Sequence, residues 1–147
     1  MKIAVLGGLG LQGRAAIADL VASDGVEEVV CVDTAPDGAA RLGGLTDLTH
    51  VRFVVPEGAI GPALANVLAD VDAVIDLLPQ PLMRDAVQAA IGTRTPLVTT
   101  NYGKAIADLA PAAEQAGVSI MTECGLDPGI DLVLYTHAAR QFDTITA

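Results

Sequence analysis

The chain has 147 residues, 52% of them hydrophobic, which is enough for one domain with a substantial core and too apolar for a disordered segment. Its net charge of −10, with no Lys/Arg cluster, argues against a nucleic-acid groove but leaves anion binding by backbone amides open. Aromatics are only 3%, so the core must be built from Val, Ile, Leu and Ala, as suits a parallel sheet covered on both faces.

The first thirteen residues, MKIAVLGGLGLQG, read as a short buried strand over Lys2–Leu6, a glycine-rich turn over Gly7–Gly10 and a helix starting at Leu11. The helix pattern runs to Ser23, with Leu11, Ala15 and Ala18 on its apolar stripe, and Asp24-Gly25 ends it. A second strand follows over Val26–Asp33. Pro36, Gly38, Gly43 and Gly44 leave room for only a short helix around Ala39–Leu42. Val51–Val55 is a third strand and Ile60–Leu68 a helix with Pro62 in its first turn, where a missing N–H costs little. Val71–Pro79 reads as the fourth strand, Pro81–Ile91 as a helix ended by Gly92, and Leu97–Thr100 as the fifth strand. A helix from Tyr102 or Gly103 to Ala116 should kink or split at Pro111. Val118–Cys124 is a sixth strand, Ile130–Arg140 a last helix, and Gln141–Thr146 the start of another strand. Such alternation with short connections predicts an α/β fold, a doubly wound, Rossmann-type parallel sheet of about six strands with helices on both faces. The chain stops just after that last strand start, so residues 1–147 are expected to be a dinucleotide-binding domain cut from, or heading, a longer protein.

Chemistry is concentrated where strands end. Gly8, Gly10 and Gly13 satisfy GxGxxG, and Gly7, Gly10 and Gly13 satisfy GxxGxxG; sequence does not choose between the registers. Either way the turn lies after a strand and before a helix, so it can pass close to phosphate oxygens and aim the helix N-terminus, with Leu11 and Gln12, at them. Asp33 closes the second strand about 20 residues beyond Gly13, where a carboxylate can accept both ribose hydroxyls of the adenosine half. It would repel a 2′-phosphate, so NAD is expected, although Arg41 in the next segment leaves NADP open. Asp76 reads as a packing or turn residue, and Leu78 and Pro79 as a wall along which the cofactor lies. Asn101, Tyr102 and Lys104 leave the fifth strand at the same edge. Asp127-Pro128 reads as an N-cap followed by a proline at the first helical position. Cys31 and Cys124 make neither a disulfide framework nor a zinc site, and His50 and His137 have no metal spacing. No metal site is expected. Neither a secretory leader nor a membrane-length apolar run is visible, which makes a cytoplasmic location the default.

Four stretches resemble the N-terminal domain of the saccharopine dehydrogenase-like family, which includes saccharopine reductases and lysine 6-dehydrogenase. They are IAVLGGLGLQG, VIDLLPQP, LVTTNYGK and MTECGLDPGIDLVL, and GLDPGID is the most specific. The resemblance implies a nicotinamide-dependent oxidoreductase acting at a C–N bond of an amino acid or opine-type substrate. It places the glycine turn, Asp33, Leu78, Pro79 and Asn101 beside the cofactor and Tyr102 and Asp127 in the active cleft. Asp127 or Lys104 would hold or remove the amine proton. Lys104 departs from the Ser-Tyr-x-Ser-Pro form common in saccharopine reductases, which leaves lysine or another diamine-type substrate open. Family members carry a further domain with much of the substrate pocket and the dimer contacts, so the full-length form is expected to be a homodimer acting on a small amino-acid substrate, with neither nucleic acid nor membrane as partner. A stand-alone binding module that senses or scaffolds is the rival from another class. A sugar-nucleotide or dihydrodipicolinate-type reductase shares the glycine turn but does not explain GLDPGID.

Overall fold

Alternation along the strands decides the layers. In β1 (Lys2–Leu6), Ala4 and Leu6 face one way and Val5 the other; in β2 (Glu28–Val32), Val30 and Val32 face opposite to Val29 and Cys31. Both sets are buried, so the sheet is apolar on both faces and must be covered twice. A computed structural model describes residues 1–58 and 60–146. It adds β3 (Val51–Val54), β4 (Ala73–Asp76), β5 (Leu97–Thr99) and β6 (Ile120–Met121), all parallel, in the order β3-β2-β1-β4-β5-β6. That order is the doubly wound one, and its switch point lies between β1 and β4.

One face is covered by α1 (Leu11–Val21) and the short α2 (Gly38–Leu42), whose Ile17, Leu20 and Leu42 pack on Val5, Val29 and Cys31. The other is covered by α3 (Ile60–Leu68) and α4 (Gln80–Thr93) through Leu64, Leu68, Met83, Ala86, Val87 and Ala90. A 3-10 helix over Gly103–Leu109 and α5 (Ala110–Ala116) extend this second layer. Arg84 of α4 ties the 3-10 helix down through two bonds to the Asp108 carboxylate, at 2.7 and 3.0 Å, and one to the Ala105 carbonyl at 2.9 Å.

Several boundaries differ from the sequence reading, each for a local reason. Gly92 does not end α4. It lies inside the helix, and Arg94 takes the left-handed cap at φ 59°, its N–H reaching the Ala90 and Ile91 carbonyls. The helix before Gly117 splits where Pro111 enters the first turn of α5, and the upstream half tightens to 3-10. Leu11 does not join an apolar stripe: it is 83% exposed at the tip of α1. Asp127 does not cap the last helix. α6 (Ile130–Ala139) starts after Gly129, and it is Asp131 Oδ1 that accepts the Gly129 N–H, at 2.7 Å. The expected strand over Gln141–Thr146 is absent, and α6 buries none of its residues.

Two positions test the packing. A Cβ on Gly13 would strike the Gly7 carbonyl oxygen and come within 2.6 Å of the Gly8 carbonyl carbon, all rigid backbone, whereas a Cβ on Gly92 meets nothing. Gly13→Ala should cost about 2–3 kcal/mol, and Gly92→Ala, inside a helix, should add about 0.5–1 kcal/mol, both read by urea unfolding. Asp76 tests the electrostatics. It is fully buried, and burial pushes its carboxyl above the ordinary range, opposed by Thr99, the Leu78 amide and Asn101. The folded state therefore holds this proton more tightly than the unfolded chain, so stability is greatest below the usual carboxylate pKa and declines as pH rises toward the native value. Asp76→Asn should raise the melting temperature at neutral pH and leave it nearly unchanged in acid; a pH-independent shift would refute this.

Candidate functional site

Because all strands are parallel, their C-terminal ends gather at one edge, and the site is built there. The turn after β1 is bound across to β2: the amides of Gly7 and Gly8 donate to the Val32 carbonyl at 2.9 and 3.3 Å. Gly7 sits at φ +74°, and a Cβ there would lie 2.9 Å from the Leu77 carbonyl oxygen. Gly8 is closed off by the Cys31 sulfur and Gly13 by the turn itself. The two registers open in the sequence thus merge: Gly7 supplies the conformation, Gly8 and Gly13 the contacts, and Gly10 the N-cap of α1. Beyond Gly10 the first-turn amides of Leu11, Gln12 and Gly13 have no acceptor within the helix and point at the mouth. This cradle would be filled by side chains, so it fits a dinucleotide pyrophosphate.

A cleft of about 380 Å³ runs from this turn along the edge, lined by Gly7, Gly10, Asp33, Leu77, Leu78 and Pro79 among others. The sequence-predicted wall, Leu78-Pro79, and the predicted ribose ligand, Asp33, therefore border one space. Asp33 has a further duty that sequence did not show. Its Oδ2 accepts the Leu9 N–H at 3.0 Å and its Oδ1 the Ala35 N–H at 3.1 Å, so it pins the glycine turn to the end of β2. Arg41 is held on α2 by Asp37, at 2.9 Å. Cys31 lies beneath, its thiol pushed up to about 11 by burial and by Asp33, which leaves it protonated and unreactive.

The exits of β5 and β6 form a second hollow of about 390 Å³, lined by Gln12, Thr100, Asn101, Tyr102, Gly125, Leu126, Asp127 and Pro128. Here the Tyr102 hydroxyl donates to Asp127 Oδ1 at 3.1 Å. That hydrogen bond, followed by the charge of Asp127, pushes the phenol above its ordinary pKa, and Asp131 and Glu123 add to the effect. The loop is set by Glu123, a non-glycine residue at φ +63°, whose N–H donates to the Asn101 carbonyl at 3.0 Å and whose Oε1 accepts the Gly103 N–H at 3.3 Å. Asp127 is free to face Tyr102 because Asp131 performs the end-of-helix bonding.

Lys104 is not brought in: it is exposed on the 3-10 helix and lines neither space. Asn101 lines the second hollow, but its amide is spent on the Leu78 carbonyl at 3.0 Å and on Thr99 Oγ1 at 3.3 Å. Sequence reasoning missed the parts played by Thr99 and Glu123, whereas Asp131 is open in the sequence as a residue serving the first turn of the last helix; for Thr99 the signal was a polar residue closing an apolar strand two positions before Asn101. Among the described residues no group of His, Cys, Asp or Glu is placed to hold a metal, and no helix is long and apolar enough to cross a membrane.

Comparison with known proteins agrees with this geometry. The family model described as "Saccharopine dehydrogenase NADP binding domain" matches residues 3–121. The chain is 32% identical over 145 residues to a saccharopine dehydrogenase (NADP⁺, L-glutamate-forming) of Saccharomyces cerevisiae, covering 98% of this chain and 31% of that one. It is 31% identical over 134 residues to the mitochondrial alpha-aminoadipic semialdehyde synthase of Bos taurus, covering 90% of this chain and 14% of the relative. The solved apo saccharopine dehydrogenase of Saccharomyces cerevisiae superposes with a TM-score of 0.79 at 30% identity, over 95% of this chain and 31% of that chain. A Thermus thermophilus dehydrogenase, WlbA, solved with NAD and UDP-GlcNAcA, superposes at 0.71 over 98% of this chain and 48% of its own, with 16% identity, and so speaks for the fold alone. The chain spans under a third of the length of these saccharopine dehydrogenase relatives. The family's description puts weight on NADP where Asp33 alone suggested NAD. Six parallel strands in doubly wound order, a glycine cradle at their edge and the match over residues 3–121 together make this chain a member of the saccharopine dehydrogenase NADP-binding domain family.

Proposed function

We propose that this domain forms the nicotinamide half of a dehydrogenase cleft acting at the C–N bond of an amino-acid or opine-type substrate. When bound, the cofactor accepts or supplies a hydride at the substrate carbon, the imine being the oxidised form. The observation that carries the reading is the Tyr102–Asp127 hydrogen bond beside Gln12 at the start of α1, where a nicotinamide held by the glycine cradle would end. Asp127 is exposed and, among the described residues, carries only this one side-chain bond, so a carboxylate oxygen remains to accept from a substrate ammonium or to take its proton. Tyr102, whose proton is held more tightly than usual, stays a donor across the physiological range and orients that carboxylate. Glu123 and Asp131 add negative charge around the pair, which favours a cationic amine over an anionic partner.

The remaining half of the cleft comes, in this reading, from a further domain. Two facts support it: the relatives are more than three times as long, and α6 leaves Leu132, Val133, Leu134 and Tyr135 between 51% and 68% exposed. The protein works as a homodimer in the cytoplasm in this reading, and Lys104 takes no direct part in the chemistry.

Nicotinamide fluorescence should show saturable binding of NADPH or NADH to this chain; binding of neither sinks the cofactor reading. Arg41→Ala should weaken NADPH by about tenfold and NADH hardly at all if Arg41 leaves Asp37 for a 2′-phosphate, a charge-assisted bond of the usual strength. In a full-length protein carrying this domain, Asp127→Asn should lower kcat/KM for the amine by about 100-fold or more with cofactor affinity unchanged. In a Tyr135→Phe background, Asp127→Asn should also let Tyr102 ionise at lower pH, seen as an earlier rise of tyrosinate absorbance.

A further inference from the structure

Asp76 is the last residue of β4, in register with Leu6 of β1 and Thr99 of β5, and it is 0% exposed. Its Oδ2 has no hydrogen-bond partner among the described residues. A buried carboxyl oxygen without a partner at the end of an inner strand of an apolar sheet is destabilising, and a valine would suit that strand position better. What the residue does instead is visible in its other oxygen. Oδ1 accepts the N–H of Leu78 at 3.2 Å, while the Leu78 carbonyl accepts Asn101 Nδ2 at 3.0 Å. Asn101 is itself steadied on Thr99 Oγ1 by its backbone N–H at 3.2 Å and its Nδ2 at 3.3 Å. Both polar backbone groups of Leu78 are thus gripped by side chains from two adjacent strand ends.

Leu78 is half-buried and lines the cleft with Gly7, Gly10 and Asp33, and the preceding Leu77 carbonyl lies against Gly7. We propose that Asp76 is a positioning residue for the cofactor, which clamps the Leu78 backbone together with Asn101 and so fixes the Leu78-Pro79 wall opposite the glycine turn. The role rests on the cofactor reading above and adds to it a residue that touches no ligand. Without the clamp, β4 would leave the sheet through a turn whose amide has no acceptor, and the wall could not hold a fixed distance from Gly7 and Gly10.

The test combines two readouts on wild type, Asp76→Val and Asp76→Asn: amide hydrogen exchange at Leu78 without cofactor, and nicotinamide-fluorescence titration with NADH and NADPH. Asp76→Val removes the acceptor, whereas Asp76→Asn keeps an Oδ1 in place and should rescue. The clamp predicts that Asp76→Val speeds Leu78 exchange and weakens the cofactor each by about tenfold, with Val74 and Ile75 amides unchanged, and that Asp76→Asn stays within about twofold of wild type. Equal behaviour of the two variants, or unchanged affinity in Asp76→Val, overturns it. Should Asp76→Val not fold, the readouts on wild type and Asp76→Asn decide. A Leu78 amide that exchanges like an exposed one overturns the clamp, and protection that rises further on cofactor binding supports it. Wild type binding neither nucleotide overturns the cofactor reading, and the positioning role with it, whatever Leu78 does; a failure of the clamp alone leaves wild-type binding intact.

Discussion

The working edge depends on how closely α1 can approach the turn that precedes it. Gly13 lies against the Gly7 and Gly8 backbone with no room for a methyl group, and Gly8 lies against the Cys31 sulfur with equally little. Because helix, turn and two strands share this contact, the direction of α1 is not adjustable. Its open N-terminal amides point where the strand ends open, and the site is a consequence of backbone contact rather than of any basic side chain. That is how a chain of net charge −10 can bind an anionic cofactor.

A second constraint follows from burying both faces of the sheet. Strands that are apolar throughout must leave it abruptly, and each exit creates an amide in need of an acceptor. Three exits solve this in the same way: Asp33 Oδ1 accepts from Ala35, Asp76 Oδ1 from Leu78, and Thr99 Oγ1 from Asn101, each two residues on. The local bond turns the chain, and Asp33 also reaches sideways to Leu9, while Thr99 takes the Asn101 side-chain amide as well and Asp76 Oδ2 stays without a partner among the described residues. The wall and the ribose end are therefore made by the same device that terminates the strands.

This also explains what could be read without coordinates. The fold was legible because a sheet buried on both faces writes its strands as continuous apolar runs such as residues 29–32, and these alternate with helical patterns across short connections. The glycine turn and Asp33 were legible because their spacing is a consequence of one strand–helix–strand unit. Less legible were features in which two signals compete. Gly92 looked like a stop, yet a helix with Leu97's strand to reach runs on to Arg94. Asp127-Pro128 looked like a cap, yet Asp131 forms the tighter local bond to Gly129. The strand expected over Gln141–Thr146 has the right residue types, but an apolar pattern forms a strand only where a neighbour offers a ladder, and β6 pairs with β5 over two residues only.

The misread cap has a chemical consequence. Had Asp127 capped α6, its carboxylate would have been consumed by backbone amides, as that of Asp33 is at the other end of the edge. With Asp131 doing that work, Asp127 is left exposed with Tyr102 as its side-chain partner. Two carboxylates at one edge thus differ in what they hold: Asp33 accepts two backbone amides, one on each oxygen, and Asp127 one side-chain hydroxyl. Of the two, Asp127 keeps the more acceptor capacity among the described residues, which is the property that the proposed amine-holding role requires.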